Sequence, residues 1–472
     1  MNKSGEYLTN ENAKETYYYS FSEEIAKLDF LALFEQAEQA QWSKFFWQTP
    51  SQDEQFLGLG TLASYQEVSI AALQQIKAQL ASRWQTINPI KNFEESKLPQ
   101  AILFGGLAFD EQAGQSTIWQ ELAQGYFVVP AILLQKTPSH TYVHYNVQAK
   151  DLDSAKVAYE QLKKAFITLQ SASLQAKVKL APALKAPITW QYVEEEAWLQ
   201  LAKKTIAQLR QSNTTLKKVV LARRLQFEAS HFKASCWLAN LISQQPNTYR
   251  FFLEGASRIF AGATPERLLK ATATHFQTAS VAGSIRRGKT ISEDEQLAEQ
   301  LLNDPKNSHE HQIVVARIER QLADYIEGRL TLGKRTILKN RMIQHIFLPL
   351  AGKRKAEVDF LSVIKALHPT PALGGEPKKD AMDWLRQYEG FHRGLYGAPI
   401  GWQSILSDEG EFAVGIRSAV IAKDQPDSYG QLFAGCGIVA DSNAEEELQE
   451  TALKFEPMKR SLAINEPSTS DD

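Results

Sequence analysis

The spacing of hydrophobic and polar residues changes several times along the chain and predicts where its strands lie. Two runs, 100–110 (QAILFGGLAFD) and 125–135 (GYFVVPAILLQ), are apolar almost throughout, as buried strands are. Residues 217–229 alternate between apolar and polar side chains, which is the period of a strand with one buried face. Further short apolar runs, separated by turns, lie in 249–282, 412–422 and 431–440. The pattern predicts a protein with many short strands.

Between these strands, apolar residues three and four positions apart predict helices. The predicted helices are 151–169, 194–210, 292–302, 307–327 and 359–367, followed by one that begins at Ser442. Because strands and helices do not alternate strictly, we expect an α+β fold with layered mixed or antiparallel β-sheets and flanking helices, and not a doubly wound fold.

Three of the predicted helix starts depend on the spacing of a capping box, in which a polar capping residue precedes a glutamate by three positions. The pairs are Ser292 with Glu295, Asn307 with Glu310, and Ser442 with Glu445. Each pair predicts that its helix begins at the first of the two residues.

A stretch without a regular hydrophobic pattern divides the chain into an N-terminal and a C-terminal part. Residues 170–188 mix Ala, Lys and Pro without a strong period and predict a connector. We therefore expect residues 1–188 to form an N-terminal part of the fold with variable strands and helices, and 189–464 to carry the chemistry. The polar tail 465–472 is predicted to be disordered.

Charge and cysteine content narrow the class of protein. The chain has 52 Lys and Arg against 54 Asp and Glu, a formal charge of -2, so no overall field favours nucleic acid or an anionic membrane. Cys236 and Cys436 lie far apart and form no metal-ligand motif, which favours a reducing compartment. No apolar run approaches the roughly 20 residues that span a bilayer, and the N-terminus lacks the order of a signal peptide. A cytoplasmic protein that holds small anions is expected.

A phosphate-binding motif occurs at residues 283–290 (GSIRRGKT), which match G-x-x-x-x-G-K-[ST]. A P-loop needs a parallel strand before it and a helix that begins at its Lys-Thr pair. Here the next helix signal is Ser292, the neighbouring segments resemble antiparallel strands, and no apolar strand ending in Asp follows to hold magnesium. A nucleotide triphosphatase is therefore the less favoured alternative.

Two titratable residues lie where acid–base chemistry is feasible. Lys218 begins an apolar strand, where desolvation lowers the pKa of a lysine and allows it to act as a base, although a strand-end lysine also commonly extends into solvent. Glu266 lies in a turn before another apolar strand, where a protonated carboxyl is a general acid. A surface glutamate explains that position equally well.

Several carboxylates fall at spacings that suit a metal. Glu447, Glu450 and Lys454 share one face of the last helix, which describes either part of a site or a solvated face with one ion pair. Glu310, in His-Glu-His, is either a capping residue or a carboxylate ligand. Paired with Glu450, it would offer Mg²⁺ two hard oxygen ligands.

Two further polar residues interrupt apolar segments. Arg417 lies on a strand of small and apolar residues, and a buried arginine needs a carboxylate or phosphate partner. The residue types alone do not decide between a structural ion pair and a substrate clamp. Tyr396, in LYGAPIGW, has the same two interpretations.

Taken together, the segments form a distinctive series. In chain order they are KVVLARR, GATPERLL, VAGSIRRG, HEHQ, HPTPALGG, LYGAPIGW, FAVGIRSA, FAGCGIVADS and ExxETxxK, with FGGLAFD upstream. The chain resembles the chorismate-utilising enzymes over roughly residues 190–460, and among them the isochorismate synthases. The resemblance implies the fold of anthranilate synthase component I, and the segment GSIRRGKT corresponds to a family motif that is not a P-loop.

The resemblance also implies roles for the candidate residues. Lys218 matches the base that activates water for attack at C2 of chorismate, and Glu266 matches the acid that protonates the departing C4 hydroxyl. Glu310 and Glu450 match the ligands of Mg²⁺, with Glu447 as a nearby carboxylate. The metal is expected to hold the ring carboxylate and neutralise charge around it.

The substrate-binding residues are likewise implied by matching motifs. Those matching contacts to the ring carboxylate are Gly283, Ser284 and Lys454, and those matching contacts to the enolpyruvyl carboxylate are Tyr396, Arg417 and Gly435. The expected partner is thus the small molecule chorismate, and neither nucleic acid nor a membrane.

The product expected from the resemblance is isochorismate. The lysine in KVVLARR favours water over ammonia as nucleophile, so no glutamine amidotransferase subunit is expected. Ala372 matches the small residue of isochorismate synthases, whereas salicylate-forming enzymes tend to have threonine nearby; salicylate synthase is the runner-up. Two positions differ from the family pattern: Asn307 stands where a carboxylate is common and Cys436 where alanine is common.

Some questions stay open at this point. A binding protein of the same fold without catalysis remains an alternative. The motifs also do not distinguish whether isochorismate would serve menaquinone, a catecholate siderophore or salicylate.

Overall fold

The computed structural model describes residues 16–87, 99–174, 181–184, 188–339, 343–423 and 427–463, and the predicted tail 465–472 lies outside these ranges. The helices are α1 (Phe30–Gln39), α2 (Ile70–Arg83), α3 (Leu152–Ser173), α4 (Glu195–Leu209), α5 (Ala234–Gln244), α6 (Ile291–Asn303), α7 (Pro305–Leu322), α8 (Phe360–Leu367), α9 (Lys378–Tyr388) and α10 (Ala444–Leu462). None of the helices in these ranges is long and apolar enough to cross a membrane.

The strands are β1 (Tyr17–Ile25), β2 (Lys44–Gln48), β3 (Gln55–Gln66), β4 (Trp84–Ile87), β5 (Ile102–Gly106), β6 (Tyr126–Lys136), β7 (Thr141–Ala149), β8 (Thr189–Val193), β9 (Lys218–Ser230), β10 (Tyr249–Glu254) and β11 (Arg258–Thr264). They continue as β12 (Arg267–Ala271), β13 (His275–Arg286), β14 (Ile326–Leu332), β15 (Thr336–Lys339), β16 (Ile343–Arg354), β17 (Gly375–Glu376), β18 (Pro399–Ser404), β19 (Gly410–Val414), β20 (Ser418–Ala422) and β21 (Asp427–Ile438).

The strands pair in two arms that meet at β6. One arm runs β4-β1-β7-β6-β3-β2-β10-β11-β20-β21-β9, with β8 and β17 on the far edge of β9. The other runs β6-β5-β18-β19-β12-β13-β16, with β14 and β15 on β16. The β1–β4 pair is parallel, and the other pairings among the described strands are antiparallel. The α+β prediction, with layered, largely antiparallel sheets, is confirmed.

Aromatic side chains fill the space between the two arms. Phe45 of β2 stacks on Phe104 of β5 with ring centroids 4.2 Å apart. Phe56 of β3 meets Trp402 of β18 edge to face at 5.3 Å. All four rings are nearly or fully buried, which contributes roughly 1.5–3 kcal/mol for each side chain removed from water. The N-terminal strands are therefore part of the same core as the C-terminal strands.

Strand pairing also joins the N-terminal and C-terminal parts of the chain. β2 pairs with β10, so that Phe46 is opposite Phe252. β5 pairs with β18, so that Gly105 is opposite Gly401. The first 188 residues thus supply strands to both arms and hold the C-terminal strands in place.

The three capping-box predictions are wrong in position, because a different residue caps each helix: an earlier one for α6 and α7, and the next one along the chain for α10. Thr290 accepts a hydrogen bond from the Glu293 backbone at α6. Asp304 accepts one from Asn307 at 2.7 Å in α7. Asn443 accepts from two backbone N–H groups at α10. The helix predicted to reach residue 327 ends at Leu322, since the following segment pairs with β16 as β14.

Candidate active site

Lys218 is the first residue of β9 and packs against a glycine of the neighbouring strand. A Cβ atom at Gly437 of β21 would lie 2.4 Å from Cε and 3.0 Å from Nζ of Lys218. Any larger residue at position 437 would collide with the lysine side chain. The glycine-rich segment at the end of β21 therefore provides the space that Lys218 occupies.

On the opposite edge of β9, a buried ion pair fills the gap between β8 and β17. The Ala222 backbone N–H donates to Glu389 Oε1 at 2.9 Å, and Arg393 Nη2 donates to the Val220 carbonyl at 2.6 Å. Arg393 Nη1 also donates to the Leu373 carbonyl at 2.8 Å. The side chains of Glu389 and Arg393 are 5% and 1% exposed and pair with each other, so they satisfy the strand edge as a further strand would. Nothing in their local sequence predicts this role.

The loop that contains Ala372 lies beside the beginning of β9. The Val220 N–H donates to the carbonyl of Gly374 at 3.0 Å, and the strand pairing places Glu376 opposite Lys218. Ala372 itself is exposed, in the turn of this loop. The loop of Ala372 thus lies along the edge of β9 next to Lys218, and Ala372 is two residues before Gly374, which bonds to that strand.

Glu266 lies in the turn between β11 and β12, and its carboxyl has a strongly raised pKa. Burial raises the pKa from 4.5 to about 7, against the charges of Lys218 and Arg417, which lower it. A carboxyl with a pKa near 7 is protonated in a large fraction of molecules at neutral pH and can act as a general acid. Glu266 is half-buried, and its raised pKa favours the general acid over the surface glutamate.

Arg417 lies between β19 and β20 with a positive φ of 49°, an uncommon backbone conformation for arginine. Its carbonyl accepts a hydrogen bond from Ala263 at 3.0 Å, which holds the turn. Burial lowers the pKa of Arg417, while Tyr396, Glu450 and Glu266 raise it. Within the described residues we find no hydrogen bond to its guanidinium group, so its donors are available for an anionic ligand.

Tyr396, Gly435 and the last helix lie close together. A Cβ at Gly435 would be 3.2 Å from the Tyr396 hydroxyl oxygen. Lys454 of α10 donates to the Gly435 carbonyl at 2.7 Å and pairs with Glu450 at 2.6 Å. Burial raises the pKa of Tyr396 well above its usual value, so the phenol stays neutral. The predicted ion pair on the helix face is present, and its lysine contacts the strand that carries Gly435.

Glu447 and Glu450 lie about one turn apart on α10. Ser442 Oγ donates to Glu447 Oε1 at 2.9 Å, so Ser442 orients this carboxylate instead of capping the helix. Glu450 is 54% exposed on its side chain. Burial raises the pKa of Cys436, and the hydrogen bond and charge of Glu447 raise it further, so the thiol stays neutral. Cys436 thus contacts the predicted site residue Glu447 in addition to packing in the core.

The structure describes the side chains of only some of the predicted metal ligands. Glu310 belongs to α7, but its side chain lies outside the described part of the chain. The described residues contain no group of three His, Cys, Asp or Glu side chains that could hold a metal ion. Two contacts fix the helix around position 310: Asn307 near Gly283, and Arg317 paired with Glu376 at 3.1 Å.

Gly283 has a positive φ of 72° at a register shift between β13 and β16. A Cβ there would lie 3.0 Å from Asn307 Oδ1, so the position favours glycine on two counts. Ser284 lies opposite His345 in this pair, and its side chain is outside the described part. Because residues 283–286 continue an antiparallel strand and α6 begins only at Ile291, the segment is not a P-loop.

His345 of β16 lies beside several candidate site residues, although no sequence motif marks it. Burial lowers the pKa of His345 to about 4, and the charges of Arg417 and Lys454 lower it as well, against a hydrogen bond with the Gly283 backbone. The imidazole is therefore neutral at pH 7. Its local sequence, IQHIFLPL, reads as an ordinary strand, so only its long-range neighbours indicate a role.

A second concave region lies away from this cluster. A surface cavity of about 410 Å³ has Glu67, Ser69, Glu111 and Gln115 in its lining. None of the predicted site residues lines it. In this lining Glu111 accepts from the Ile70 backbone and Gln115 donates to Glu67.

Comparisons with known proteins identify the family of the chain. A family model described as "Chorismate binding enzyme" matches residues 5–463. The isochorismate synthase MenF of Bacillus subtilis is 32% identical over 454 residues, covering 94% of this chain and 93% of the relative. The salicylate biosynthesis isochorismate synthase of Pseudomonas aeruginosa is 29% identical over 93% of this chain and 89% of its own length.

Solved structures share the fold. MenF, the menaquinone-specific isochorismate synthase of Escherichia coli, superposes with a TM-score of 0.76 at 24% identity, covering 94% of both chains. Anthranilate synthase component I of Streptococcus pneumoniae superposes with a TM-score of 0.66 at 18% identity, covering 98% of this chain and 95% of the other. By the family match and the full-length relative, the chain belongs to the chorismate-binding enzyme family.

Proposed function

We propose that this protein is an isochorismate synthase, an isomerase that converts chorismate to isochorismate. The observation that carries the proposal is the environment of Glu266, a carboxyl whose pKa is raised to about 7 by burial although Lys218 and Arg417 lie near it. A neutral carboxylic acid close to a lysine supplies both the acid and the base that the isomerisation requires. The relatives over the full chain are themselves named isochorismate synthases.

In the proposed reaction Lys218 activates the attacking water and Glu266 protonates the leaving hydroxyl. Lys218, in its neutral form, accepts a proton from the water that attacks C2 of the ring. The ring double bond shifts, and the C4 hydroxyl leaves as water with the proton of Glu266. One water enters and one leaves, so the product is an isomer of the substrate. Each of the two groups contributes about 10²- to 10⁴-fold in rate.

Cationic and polar groups of the site would bind the two carboxylates of the substrate. Arg417 and Tyr396 would bind the enolpyruvyl carboxylate, with Gly435 allowing close approach. Lys454 and the backbone at Gly283 and Ser284 would bind the ring carboxylate. Support comes from the guanidinium group of Arg417, which donates no hydrogen bond within the described residues, and from the bond between Lys454 and the Gly435 carbonyl, which joins the two regions. Ala372 would border the ring beside Lys218.

A magnesium ion fits the carboxylates of this site. Glu450 presents a half-exposed carboxylate and Glu447 is held one turn away by Ser442, both with the hard oxygen atoms that Mg²⁺ prefers. Glu310 of α7 would complete the set. When bound, magnesium would neutralise the charge of the substrate carboxylate and so supply electrostatic stabilisation.

Product analysis of purified protein with chorismate, with and without Mg²⁺, tests the proposal. We expect isochorismate by chromatography only when magnesium is present. The Lys218→Ala variant, purified in the same way, is the matched control and should form no product while remaining folded.

The other outcomes of this experiment discriminate between functions. Salicylate together with pyruvate would replace isochorismate synthase by salicylate synthase. Binding of chorismate without any product would replace the enzyme by a binding protein. Full activity in Lys218→Ala would overturn the role of that lysine.

A further inference from the structure

Arg223 of β9 is a buried arginine that no step of the proposed reaction uses. Its side chain is 1% exposed, and its guanidinium contacts three residues of two helices. Nη1 donates to the Leu448 carbonyl at 2.9 Å and to Thr451 Oγ1 at 2.8 Å, both in α10. Nη2 pairs with Glu195 in the first turn of α4. The arginine thus joins one strand to two helices.

The contacted turn of α10 is the one that carries the proposed metal-binding carboxylates. Leu448 follows Glu447, and Thr451 follows Glu450. Thr451 is fully buried and donates its own hydroxyl hydrogen to the Leu448 carbonyl at 2.8 Å, so its oxygen is oriented to accept from Arg223. This turn therefore cannot shift along β9 without breaking hydrogen bonds to a buried charge, which is costly.

The same strand carries Lys218, five residues before Arg223. The spacing between the proposed base and the proposed carboxylates consequently depends on how α10 is attached to β9. Lysine cannot replace Arg223 in this attachment, because an ammonium lacks the planar set of donors that reaches two helices at once.

From these contacts we propose that Arg223 is a positioning residue, which sets the affinity for magnesium by fixing the turn of α10 that carries Glu447 and Glu450. Thr451 is its partner in this role. The inference rests on the proposed function, because it assumes that these carboxylates bind magnesium. Loss of a group that orients metal ligands typically lowers metal affinity about 10- to 100-fold.

The test measures magnesium affinity without turnover, from the rise of the thermal unfolding midpoint with magnesium concentration and from calorimetric titration. We expect Arg223→Lys and Thr451→Val each to raise the magnesium dissociation constant about 10-fold or more. Thr451→Ser, which keeps the hydroxyl, should stay within about twofold of the wild type. Arg224→Lys is the matched control, since Arg224 pairs with the exposed Glu194, the residue before α4, and has no hydrogen bond or ion pair with α10 among the described residues.

Each result supports or overturns the inference. An unchanged magnesium dissociation constant in Arg223→Lys and Thr451→Val, with or without a lower unfolding midpoint, would make Arg223 merely structural. If Arg223→Lys fails to fold, Thr451→Val and Thr451→Ser decide the question alone. A wild-type protein that makes isochorismate without binding magnesium at all would overturn the inference but leave the reaction, whereas a wild type that makes no isochorismate would overturn the proposed function.

Discussion

Glu266 and Glu411 are two glutamates on neighbouring, paired segments of one sheet, and their carboxyl groups behave in opposite ways. Burial raises the pKa of Glu266 to about 7, and the charges of Lys218 and Arg417 only partly offset it. Burial also raises the pKa of Glu411, but Arg267, Lys270 and the Tyr249 hydroxyl outweigh it and lower the pKa. The same residue type in the same sheet thus has a raised pKa in one place and a lowered pKa in another.

The difference comes from which cationic side chains reach each carboxylate. Arg267 directly follows Glu266, and its Nε donates to Glu411 Oε1 at 2.9 Å. Lys270 approaches Glu411 Oε2 at 3.5 Å, in a strand whose register shifts between Arg267 and Leu269. The carboxyl group of Glu266 receives no such bond among the residues that the structure describes. The fully buried Glu411 is a structural anion, and Glu266 keeps its proton for chemistry.

The largest expected effect is on activity at Glu266. Glu266→Gln should reduce kcat about 10²- to 10⁴-fold, because the amide has no proton of suitable acidity to donate. The free energy of unfolding should change little, since the amide resembles the neutral carboxyl in shape and charge. Chromatographic assays of isochorismate and urea denaturation measure the two quantities. Activity within a few-fold of the wild type would refute the role of Glu266 as acid.

The next largest effect is on stability at Glu411. Glu411→Gln should lower the free energy of unfolding by about 3–5 kcal/mol, because Arg267 loses its carboxylate partner in a buried site and Lys270 keeps only Glu54. Denaturant unfolding measures this. As a control, Glu327→Gln breaks an exposed pair with Lys353 and should cost no more than about 1 kcal/mol. Equal losses in the two variants would mean that Glu411 is not a structural anion.

A smaller loss of stability is expected at Tyr249. Its hydroxyl donates to Glu411 Oε1 at 2.7 Å and accepts from Arg267 at 2.6 Å. Tyr249→Phe should cost about 1.5–3 kcal/mol, as other hydrogen bonds to charged groups do. The cost should shrink when measured in the Glu411→Gln background, because the two groups interact. Additive losses in the double variant would show that the hydroxyl acts independently of the carboxylate.

The smallest expected effect is on the pH dependence of activity. Since Glu266 acts in its protonated form, its ionisation should lower kcat/KM as the pH rises through about 7. Glu266→Gln should lose this pH dependence of its residual activity. A profile of kcat/KM from pH 5.5 to 9 measures both. An unchanged fall in the variant would assign the titration to another group.

The contributions of Glu266 and Glu411 to the free energy of unfolding should change with pH in opposite directions. The folded-state pKa of Glu266 lies above its ordinary 4.5, so its contribution to stability is complete below 4.5 and is lost as the pH rises through about 7. The folded-state pKa of Glu411 lies below its ordinary value, so its contribution is present at neutral pH and is lost in acid. Unfolding of the two Gln variants at pH 5 and pH 8, relative to the wild type, separates these contributions.

Local pattern predicted much of the fold and several of the places where candidate residues lie. The alternation in 217–229 predicted β9, and the spacing in the last helix predicted the pairing of Glu450 with Lys454. The helix starts were less accurate, because residues such as Asp304 and Asn443 compete as caps and local spacing does not rank them.

Other features depend on partners far along the chain, which no local pattern reveals. Glu389 completes the edge of β9 by accepting from Ala222, 167 residues away. His345 enters the site only because β13 and β16 pair there. Such contacts follow from the packing of whole sheets. The local sequence around these residues does not distinguish them from other polar residues.

The sequence by itself determined the α+β class, the strand that begins at Lys218, and the motifs that place the chain with the chorismate-utilising enzymes. These depend on residue type and spacing, which are local properties. Tertiary structure alone decided which glutamate keeps its proton and which arginine keeps free donors. The pKa of Glu266 and the contacts of Arg417 depend on burial and on charges brought together from distant strands, and the sequence does not contain those distances.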